Sequence, residues 1–425
     1  MRSVEARLAA GDYEGALARL ERAYDRGDPE AALLAAEIWA LFGPDEAERL
    51  KAALSAAGPR ADEPLGRALG ALLSAWKGRR PRLFTARGRA AYHLAAAALE
   101  LGEPERALRY LEAAGMLPAF LGWRRALLRG RALEQLGRFP EALEAYLEAM
   151  KGAPEVERPY LAMDAAAVLL ELDRGGEALA LLEATPPAEA NPLWHYLRAR
   201  ALLAGGNPRA ALEALEEAER LDGDPYEVAL LMGQIWMRLG EPEEARAAFE
   251  RALEHARLEE KSYVLHELAV AMIEGGDPEA ALEPLKAALA DPDYPHRGGL
   301  FAELAGAHYR LGLLAATERY AAEAVAQGAA AAGYLYLGHA ALDRGALKEA
   351  LDYYRRAAEA AEEGSPDWVT AQQLAADVLA QLGFPDPEEA LARAQAALAH
   401  TPPYDEWAET LKGHIQRARQ RRRLH

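Results

Sequence analysis

The stretch YLYLGHAALDRGALKEALDYYRRAAEA, Tyr334–Ala360, decides the fold of this chain. Its apolar residues recur at helical spacing on both sides of Arg344-Gly345, which predicts two helices of about a dozen residues joined by a tight turn. Gly338 in the first helix and Ala350 in the second are small enough for the helices to approach closely. Tyr354 is then placed to fill the space between them. The stretch is therefore interpreted as a helical hairpin.

The same hairpin recurs upstream at intervals of 33 to 36 residues. The recurring anchor position is occupied by Ala107, Ala142, Ala178, Ala211, Ala245, Ala281, Thr317 and Ala350. Twelve positions before each anchor the residue is Gly or Ala, and seven after it the residue is Ala in all units but one. Four after it a bulky apolar residue recurs, with Ala321 as the exception. Small residues facing each other around a large one indicate close helix packing, and a period in the thirties is typical of a solenoid.

Three units show the pattern in register: LGHAALDRGALKEALDYYRRA, LRGRALEQLGRFPEALEAYLEA and LMGQIWMRLGEPEEARAAFERA. Over nearly the whole chain this pattern resembles the tetratricopeptide repeat family, in its bacterial multi-repeat form. The resemblance implies an all-α fold, a right-handed α-α superhelix of about ten or eleven antiparallel helix pairs closed by a C-terminal capping helix. It also implies a concave groove, lined by the first helix of each pair, that binds peptides or partner helices.

The regularity of the pattern divides the chain into four segments. Residues 1–60 are predicted to form degenerate repeat units, and residues 61–88 an irregular helix and a basic loop that interrupt the register. Residues 89–403 are predicted to be the regular array, with Pro and Gly at the joints between hairpins. Residues 404–425 place Trp407, Leu411 and Ile415 on one stripe, as expected of a capping helix followed by a basic tail.

Composition limits the classes of function. The chain has no cysteine, which excludes disulfides and thiolate metal sites. A net charge of −18 favours solubility and disfavours general nucleic-acid binding. Without a secretory signal or a long apolar run, the expected location is the cytoplasm, with no membrane association. Asparagine occurs only at Asn191 and Asn207, which suggests a heat-adapted bacterium or, equally, a GC-rich genome.

The repeat register identifies the residues that should line the groove. These residues are Tyr92, His93, Arg124, Arg131, Gln135, Glu227, Gln234, Arg238, Tyr263, His266, Tyr309, Tyr336 and His339, with Glu134, Glu267, Arg310 and Asp343 beside them. Aromatic side chains, arginine and histidine commonly anchor interfaces. The alternative for each is a solvated helix face or a capped edge, because polar residues are mostly exposed without binding anything.

Positive charge is concentrated near the N-terminal third. Residues 77–138 contain 13 Lys and Arg against 5 Asp and Glu. Besides Arg124 and Arg131, the predicted basic belt consists of Arg79, Arg80, Arg82, Arg87, Arg89, Arg125 and Arg129. Arginine pairs well with carboxylates and phosphates. Pairing with neighbouring glutamates inside the chain is an equally good explanation.

These patterns predict a protein- or peptide-binding scaffold rather than an enzyme. The sequence contains no phosphate-binding loop, nucleophile elbow or metalloprotease motif, so no catalytic residue, metal or cofactor is assigned. One alternative is a regulatory protein that contacts nucleic acid or an acidic partner through the basic belt. Another is a self-assembling structural module, so that both a monomer and a homodimer stay open.

Overall fold

The computed structural model describes residues 2–423, and these residues form an all-helical chain that divides into two compact units, Met1–Asp224 and Pro225–His425. The helices of the N-terminal unit are α1 (Arg2–Ala9), α2 (Tyr13–Tyr24), α3 (Pro29–Phe42), α4 (Ala47–Ala56), α5 (Pro64–Trp76), α6 (Gly88–Glu100), α7 (Pro104–Ala114), α8 (Ala119–Gln135), α9 (Phe139–Gly152), α10 (Arg158–Glu171), α11 (Gly175–Ala184), α12 (Pro192–Ala204) and α13 (Pro208–Arg220). Three short 3-10 helices accompany them, at Pro44–Glu46, Gly58–Asp62 and Glu155–Glu157.

The C-terminal unit continues the series of paired helices. Its helices are α14 (Pro225–Leu239), α15 (Pro242–His255), α16 (Lys261–Glu274), α17 (Leu282–Leu289), α18 (Arg297–Arg310), α19 (Leu314–Ala326), α20 (Ala330–Asp343), α21 (Leu347–Ala360), α22 (Pro366–Gln381), α23 (Pro387–His400) and α24 (Glu406–Arg422). Among the described residues the two units together contain eleven consecutive hairpins, with α5 and α24 as single helices. No described helix is long and apolar enough to cross a membrane.

Local sequence signals set where the helices begin and end. Pro387 opens α23, and the Asp386 side chain before it accepts hydrogen bonds from two free backbone N–H groups of the first turn, both at 3.0 Å. Within hairpins the turn residue has positive φ, as at Gly137 (φ 69°). In the α10–α11 turn the left-handed position is taken by Asp173 (φ 56°) instead of glycine. Most of these turns have two or three residues outside helical structure, whereas the α16–α17 turn has seven and the α22–α23 turn has five.

The eight anchor residues form a continuous pattern of burial. All eight, from Ala107 to Ala350, are 0% exposed, including Thr317. The small residues twelve positions before them are buried as well. At the large position Tyr146, Phe249 and Tyr354 are among the largest fully buried side chains of the chain. The repeat found in the sequence is therefore the packing repeat of the structure, and the all-α prediction is confirmed.

Glycine and aromatic residues are paired across the hairpins. A methyl group built on Gly338 would lie 2.4 Å from Tyr354, and one on Gly233 would lie 2.4 Å from Phe249. Gly130 is in the same relation to Tyr146, at 2.7 Å. Units with leucine at the large position have alanine at the small one. The side-chain volume at one position thus compensates for the volume at the other, as a close-packed interior requires.

The segment after α5 has non-helical backbone in place of a second helix. Residues 79–87 carry no helix, yet Leu83 and Ala86 are buried. The segment, called here the strap, is attached to α7, because Tyr110 donates a hydrogen bond to the Phe84 carbonyl (2.9 Å) and Arg106 contacts the Leu83 carbonyl (3.4 Å). The strap lies within the predicted interruption at residues 61–88. The four-part division of the chain stays a prediction, since it concerns the regularity of the repeats.

Candidate functional site

Within each unit the first helices of the hairpins lie side by side. Helix α6 touches α8 and α10 touches α12, while in the C-terminal unit α16, α18, α20, α22 and α24 touch in succession. In the described part of the chain no second helix makes comparable contact with the next second helix. When one row of stacked elements is closer together than the other, the stack curves toward that row. The first helices therefore form the inner face of each unit.

An open cavity of about 330 Å³ lies on the inner face of the N-terminal unit. It is lined by first helices and the loops beside them, including α3, α5, α6, α8 and α10. Helix α8 contributes Arg124, Leu127, Leu128 and Arg131, which share one helical stripe. Aromatic walls and a few convergent charged groups are typical of binding cavities. The lining aromatic residues are Phe42, Trp76, Tyr92, Trp123 and Tyr160.

Arg124 is held in position by its neighbours while keeping hydrogen-bonding capacity. Its guanidinium lies 4.4 Å from the Trp123 ring centroid and 5.1 Å from that of Tyr13, and its Nη2 is 3.5 Å from Glu157. Its Nε is buried and has no hydrogen-bond partner among the described residues. Arg131, seven residues further along the same stripe of α8, is exposed and has no ion-pair partner in the described part of the chain. Both arginines can therefore offer donors to a bound acidic group.

Carboxylates near these arginines set the local electrostatics. Burial raises the pKa of Asp164 to about 6, and the charge of Arg131 acts in the opposite direction. Glu157 approaches Arg124, as described above. The cavity consequently presents both signs of charge rather than a purely basic surface.

Tyr92 and His93 lie deeper than the register predicted. They are 4% and 1% exposed, so their side chains are part of the packed interior at the base of the cavity. His93 Nε2 is 3.1 Å from the Glu37 carboxylate, which also pairs with Arg89 (Nε to Oε1, 2.8 Å). Burial lowers the pKa of His93 to about 3, with a smaller contribution from Arg89, so the ring is neutral.

Glu37 is a residue that the sequence reasoning missed. It is 0% exposed and pairs across to α6 with Arg89 and His93. The signal was present, because Glu37 is the single charged residue in the run AALLAAEIWALF of α3. A lone charge within an apolar helix is rarely buried without a partner.

The remaining groove residues differ in exposure. Gln135, Glu227 and Arg238 are exposed, whereas Gln234, Tyr263, His266, Tyr309, Tyr336 and His339 are partly buried. The partly buried ones contact one another across neighbouring first helices. Gln234 donates to the Tyr263 hydroxyl (3.1 Å), and the His339 ring stacks on Tyr309 with centroids 5.2 Å apart.

The basic belt does not form one surface. Arg125 and Arg129 lie on the side of α8 that faces α7 and α9, where Arg125 donates to the Gly115 carbonyl (2.7 Å) and Arg129 is 3.7 Å from Glu148. Arg89 is engaged with Glu37. Four belt residues are exposed on or beside the strap without an ion pair to any described residue: Arg79, Arg80, Arg82 and Arg87. The structure therefore separates the belt into the strap, the cavity side of α8 and the opposite side of α8.

No cluster of three or more potential metal ligands occurs among the described residues. The arrangement consists of helix faces with polar and aromatic side chains, a type of surface suited to recognising another chain.

Comparison with protein-family models gives two matches, each described as a tetratricopeptide repeat, at residues 133–201 and 196–262. The comparison with curated proteins gives no match. Among solved structures, the chain is similar to the APC/C hetero-tetramer Cut9-Hcn1, at 15% identity over 98% of this chain and 95% of that one, with a TM-score of 0.46. It is also similar to a tetratricopeptide repeat protein from Parabacteroides merdae (15% identity, 60% and 98% covered, TM-score 0.46) and to the type IV pilus biogenesis factor PilW (18%, 53% and 99%, TM-score 0.43).

The stacked hairpins and the inner-face side chains define a helical repeat protein. The matched repeats at residues 133–262 carry the same anchor pattern as the hairpins on either side of them. Residues 133–262 match the tetratricopeptide repeat family, and the described part of the chain contains many hairpins of the same kind. This family supplies scaffolds for protein interactions in general.

Proposed function

We propose that the chain binds a protein or peptide partner through the inner faces of its units, without catalysing a reaction. The observation that carries this proposal is the contrast between the two helix rows. The anchor residues of the second helices are fully buried in contacts within the stack, whereas Arg131 and Gln135 on α8 are exposed beside an aromatic cavity. A partner can therefore gain contacts on the inner face without disturbing the stack.

The cavity of the N-terminal unit is the proposed anchor point. Arg124 is fixed between aromatic rings, so little side-chain entropy is lost when it donates to a partner. Aromatic residues around it supply apolar contact area, and arginine and aromatic residues are the types that dominate interface energies. An acidic side chain next to an apolar one is the partner feature that fits this combination.

The experiment is affinity capture from the source cell at low and high salt, followed by mass spectrometry. The test variant is Arg131→Glu on α8, and the matched control is Arg209→Glu, an exposed arginine on the second helix α13. We expect capture of the partner to be lost with Arg131→Glu and retained with Arg209→Glu. Equal capture by both variants would show that the cavity side of α8 is not the binding face.

A second candidate function rests on the strap. Its four exposed arginines have no ion pairs to described residues, although the chain as a whole carries a charge of −18. Such a segment fits a nucleic acid or a strongly acidic protein. Binding to nucleic acid would weaken steeply as salt rises. Replacing all four arginines by glutamine should abolish that salt-dependent binding while leaving capture through the cavity unchanged.

A further inference from the structure

An open groove of about 740 Å³ runs along the last two helices of the C-terminal unit, α23 and α24. We call it the α23–α24 groove. Lys412 and Arg423 are the first and last residues of α24 that line it. They are eleven residues apart, which corresponds to about 16 Å, or three turns, along a helix. The groove is therefore long enough to receive a short helical segment.

The floor of the groove is apolar. Ile415 is 9% exposed and belongs to a small hydrophobic cluster shared by α22, α23 and α24, against which the partly buried Leu398 packs. Ala399 lines the groove beside them and is exposed. Side chains of two neighbouring helices leave a groove into which a third helix can pack. The floor thus offers apolar contact to a docked helix.

The rim of the groove is basic. Lys412, Arg419 and Arg423 line it at exposed positions, and among the described residues no Asp or Glu does so. Lys412 pairs with Glu409 on the preceding turn (2.5 Å). Arg419 and Arg423 make no ion pair or side-chain hydrogen bond with any described residue. Two guanidinium groups at the rim are therefore available to an acidic ligand.

Arginines on other faces of the same two helices do have partners. Arg393 pairs with Glu389 (2.8 Å), and Arg417 donates to His414 Nδ1 (2.7 Å). Three glutamines line the groove as well, and their side-chain amides make no hydrogen bond with described residues: Gln395, Gln416 and Gln420. The groove consequently combines an apolar floor with unpaired cations and free amides, as interfaces with a partner helix do.

We propose that the α23–α24 groove is a docking surface for an acidic amphipathic helix of a partner protein. The apolar stripe of that helix lies on Leu398 and Ile415, and its carboxylates pair with Arg419 and Arg423. This surface belongs to the C-terminal unit, whereas the cavity beside Arg124 belongs to the N-terminal unit. It is a second interaction site and does not depend on the first.

Charge complementarity selects this occupant. A nucleic acid would satisfy the arginines but would place polar sugar and phosphate groups on the apolar floor. A purely apolar helix would remove Arg419 and Arg423 from water without a partner. A second copy that docked through its own α24 or through α2, with its exposed Arg19, Arg22 and Arg26, would bring like charges together.

The test is fluorescence anisotropy of the full chain with a labelled helical peptide of about four turns, which has leucine on one stripe and glutamate beside it. A peptide with glutamine in place of glutamate is the probe control. The salt concentration is about 0.15 M, so that exposed charges more than about 8 Å apart are largely screened.

The test variant combines Arg419→Gln with Arg423→Gln. The matched control combines Arg421→Gln with Arg422→Gln, which removes the same two charges from exposed positions near the end of α24 that do not line the groove. Ala399→Gln takes up space on the floor without changing the charge. Circular dichroism checks that all three variants are folded.

We expect the glutamate peptide to bind wild-type protein more tightly than the glutamine peptide. The Arg419 and Arg423 variant should weaken binding of the glutamate peptide by about tenfold or more, because two charge-assisted hydrogen bonds are lost. The control pair should change the affinity by less than about twofold. Ala399→Gln should weaken binding as well, since the floor is then overpacked.

Four results would overturn the inference. Two of them are no binding of the glutamate peptide to the wild type, and equal weakening by the test and control pairs. The third is a single-stranded oligonucleotide that displaces the peptide and depends on Arg419 and Arg423 but not on Ala399, which would make a nucleic acid the occupant. The fourth is self-association of the wild type that the test pair abolishes and the peptide does not compete with, which would make a second copy the occupant.

Discussion

Replacing Gly338 by alanine tests the packing rule that underlies the repeats. A methyl group there would lie 2.4 Å from Cε1 and 2.7 Å from Cδ1 of Tyr354, about 1 Å closer than ordinary van der Waals contact. The ring cannot easily move aside, because it is fully buried and its hydroxyl contacts His339 Nδ1 at 3.2 Å. Overpacking costs about 1–3 kcal/mol, while alanine in a helix gains about 1 kcal/mol over glycine. We therefore expect a net loss of up to about 2 kcal/mol.

A double-mutant cycle separates this steric clash from general damage. Tyr354→Leu alone leaves a cavity and should also destabilise the hairpin. Gly338→Ala combined with Tyr354→Leu recreates the alanine–leucine pair found in other units, such as Ala95 with Leu111. The double mutant should therefore be more stable than the sum of the single effects by about 1 kcal/mol or more. Gly70→Ala in α5 is the matched control, since no other atom lies within 4 Å of its added methyl group.

Native-state hydrogen exchange of α20 and α21 is the appropriate assay, because repeats unfold locally and a single unfolding midpoint does not describe them. The control Gly70→Ala should gain up to about 1 kcal/mol by the same measurement in α5. If Gly338→Ala were as favourable as Gly70→Ala, or if the cycle were additive within about 0.5 kcal/mol, the packing argument would be refuted.

Further predictions concern titration, turns and binding. Burial raises the pKa of Glu303 from 4.5 to about 6, so the folded state binds the carboxyl proton of Glu303 more tightly than the unfolded chain does. The free energy of unfolding therefore falls as the pH rises from 4.5 to about 6. Glu303→Gln should remove this loss of about 2 kcal/mol, which is measured by comparing the free energy of unfolding below pH 4.5 and above pH 6; an unchanged pH profile would contradict it. Gly137 and Asp173 both have positive φ, which glycine adopts at less cost than a residue with a Cβ atom. Gly137→Ala should therefore destabilise its hairpin by about 1 kcal/mol, whereas Asp173→Gly should be neutral or stabilising. Hydrogen exchange of the flanking helices measures the sign of each change. Arg131→Glu should weaken binding of an acidic partner by about tenfold in a titration, with Arg209→Glu unchanged; equal affinities would exclude the cavity.

The hairpin stack could be predicted from sequence because its determinants are local and repeated. The positions of Ala350, Gly338 and Tyr354 are fixed relative to each other by helix geometry, so the same spacing recurs wherever the same packing does. The strap could not be placed in this way. Its attachment depends on Tyr110 and Arg106, more than twenty residues later, and no periodic pattern links them to it.

The candidate site was only partly predictable for a related reason. The repeat register predicts which face of a helix points inward, but not which residues pack against that face. The register therefore could not predict that the Glu37 carboxylate lies against the His93 ring. The separation of the basic belt into several surfaces could be predicted in part from the sequence. Arg124 and Arg125 are consecutive on a helix and point about 100° apart, so both could not line one surface.

Site-specific photo-crosslinking in the source cell tests the central claim most directly. A photoreactive residue is placed at Gln135 or Gln234 on first helices, and at Glu144 or Glu359 on second helices. We expect the same partner to be crosslinked from the first-helix positions and not from the second-helix positions. Crosslinks from Glu144 and Glu359 with none from Gln135 and Gln234 would contradict it.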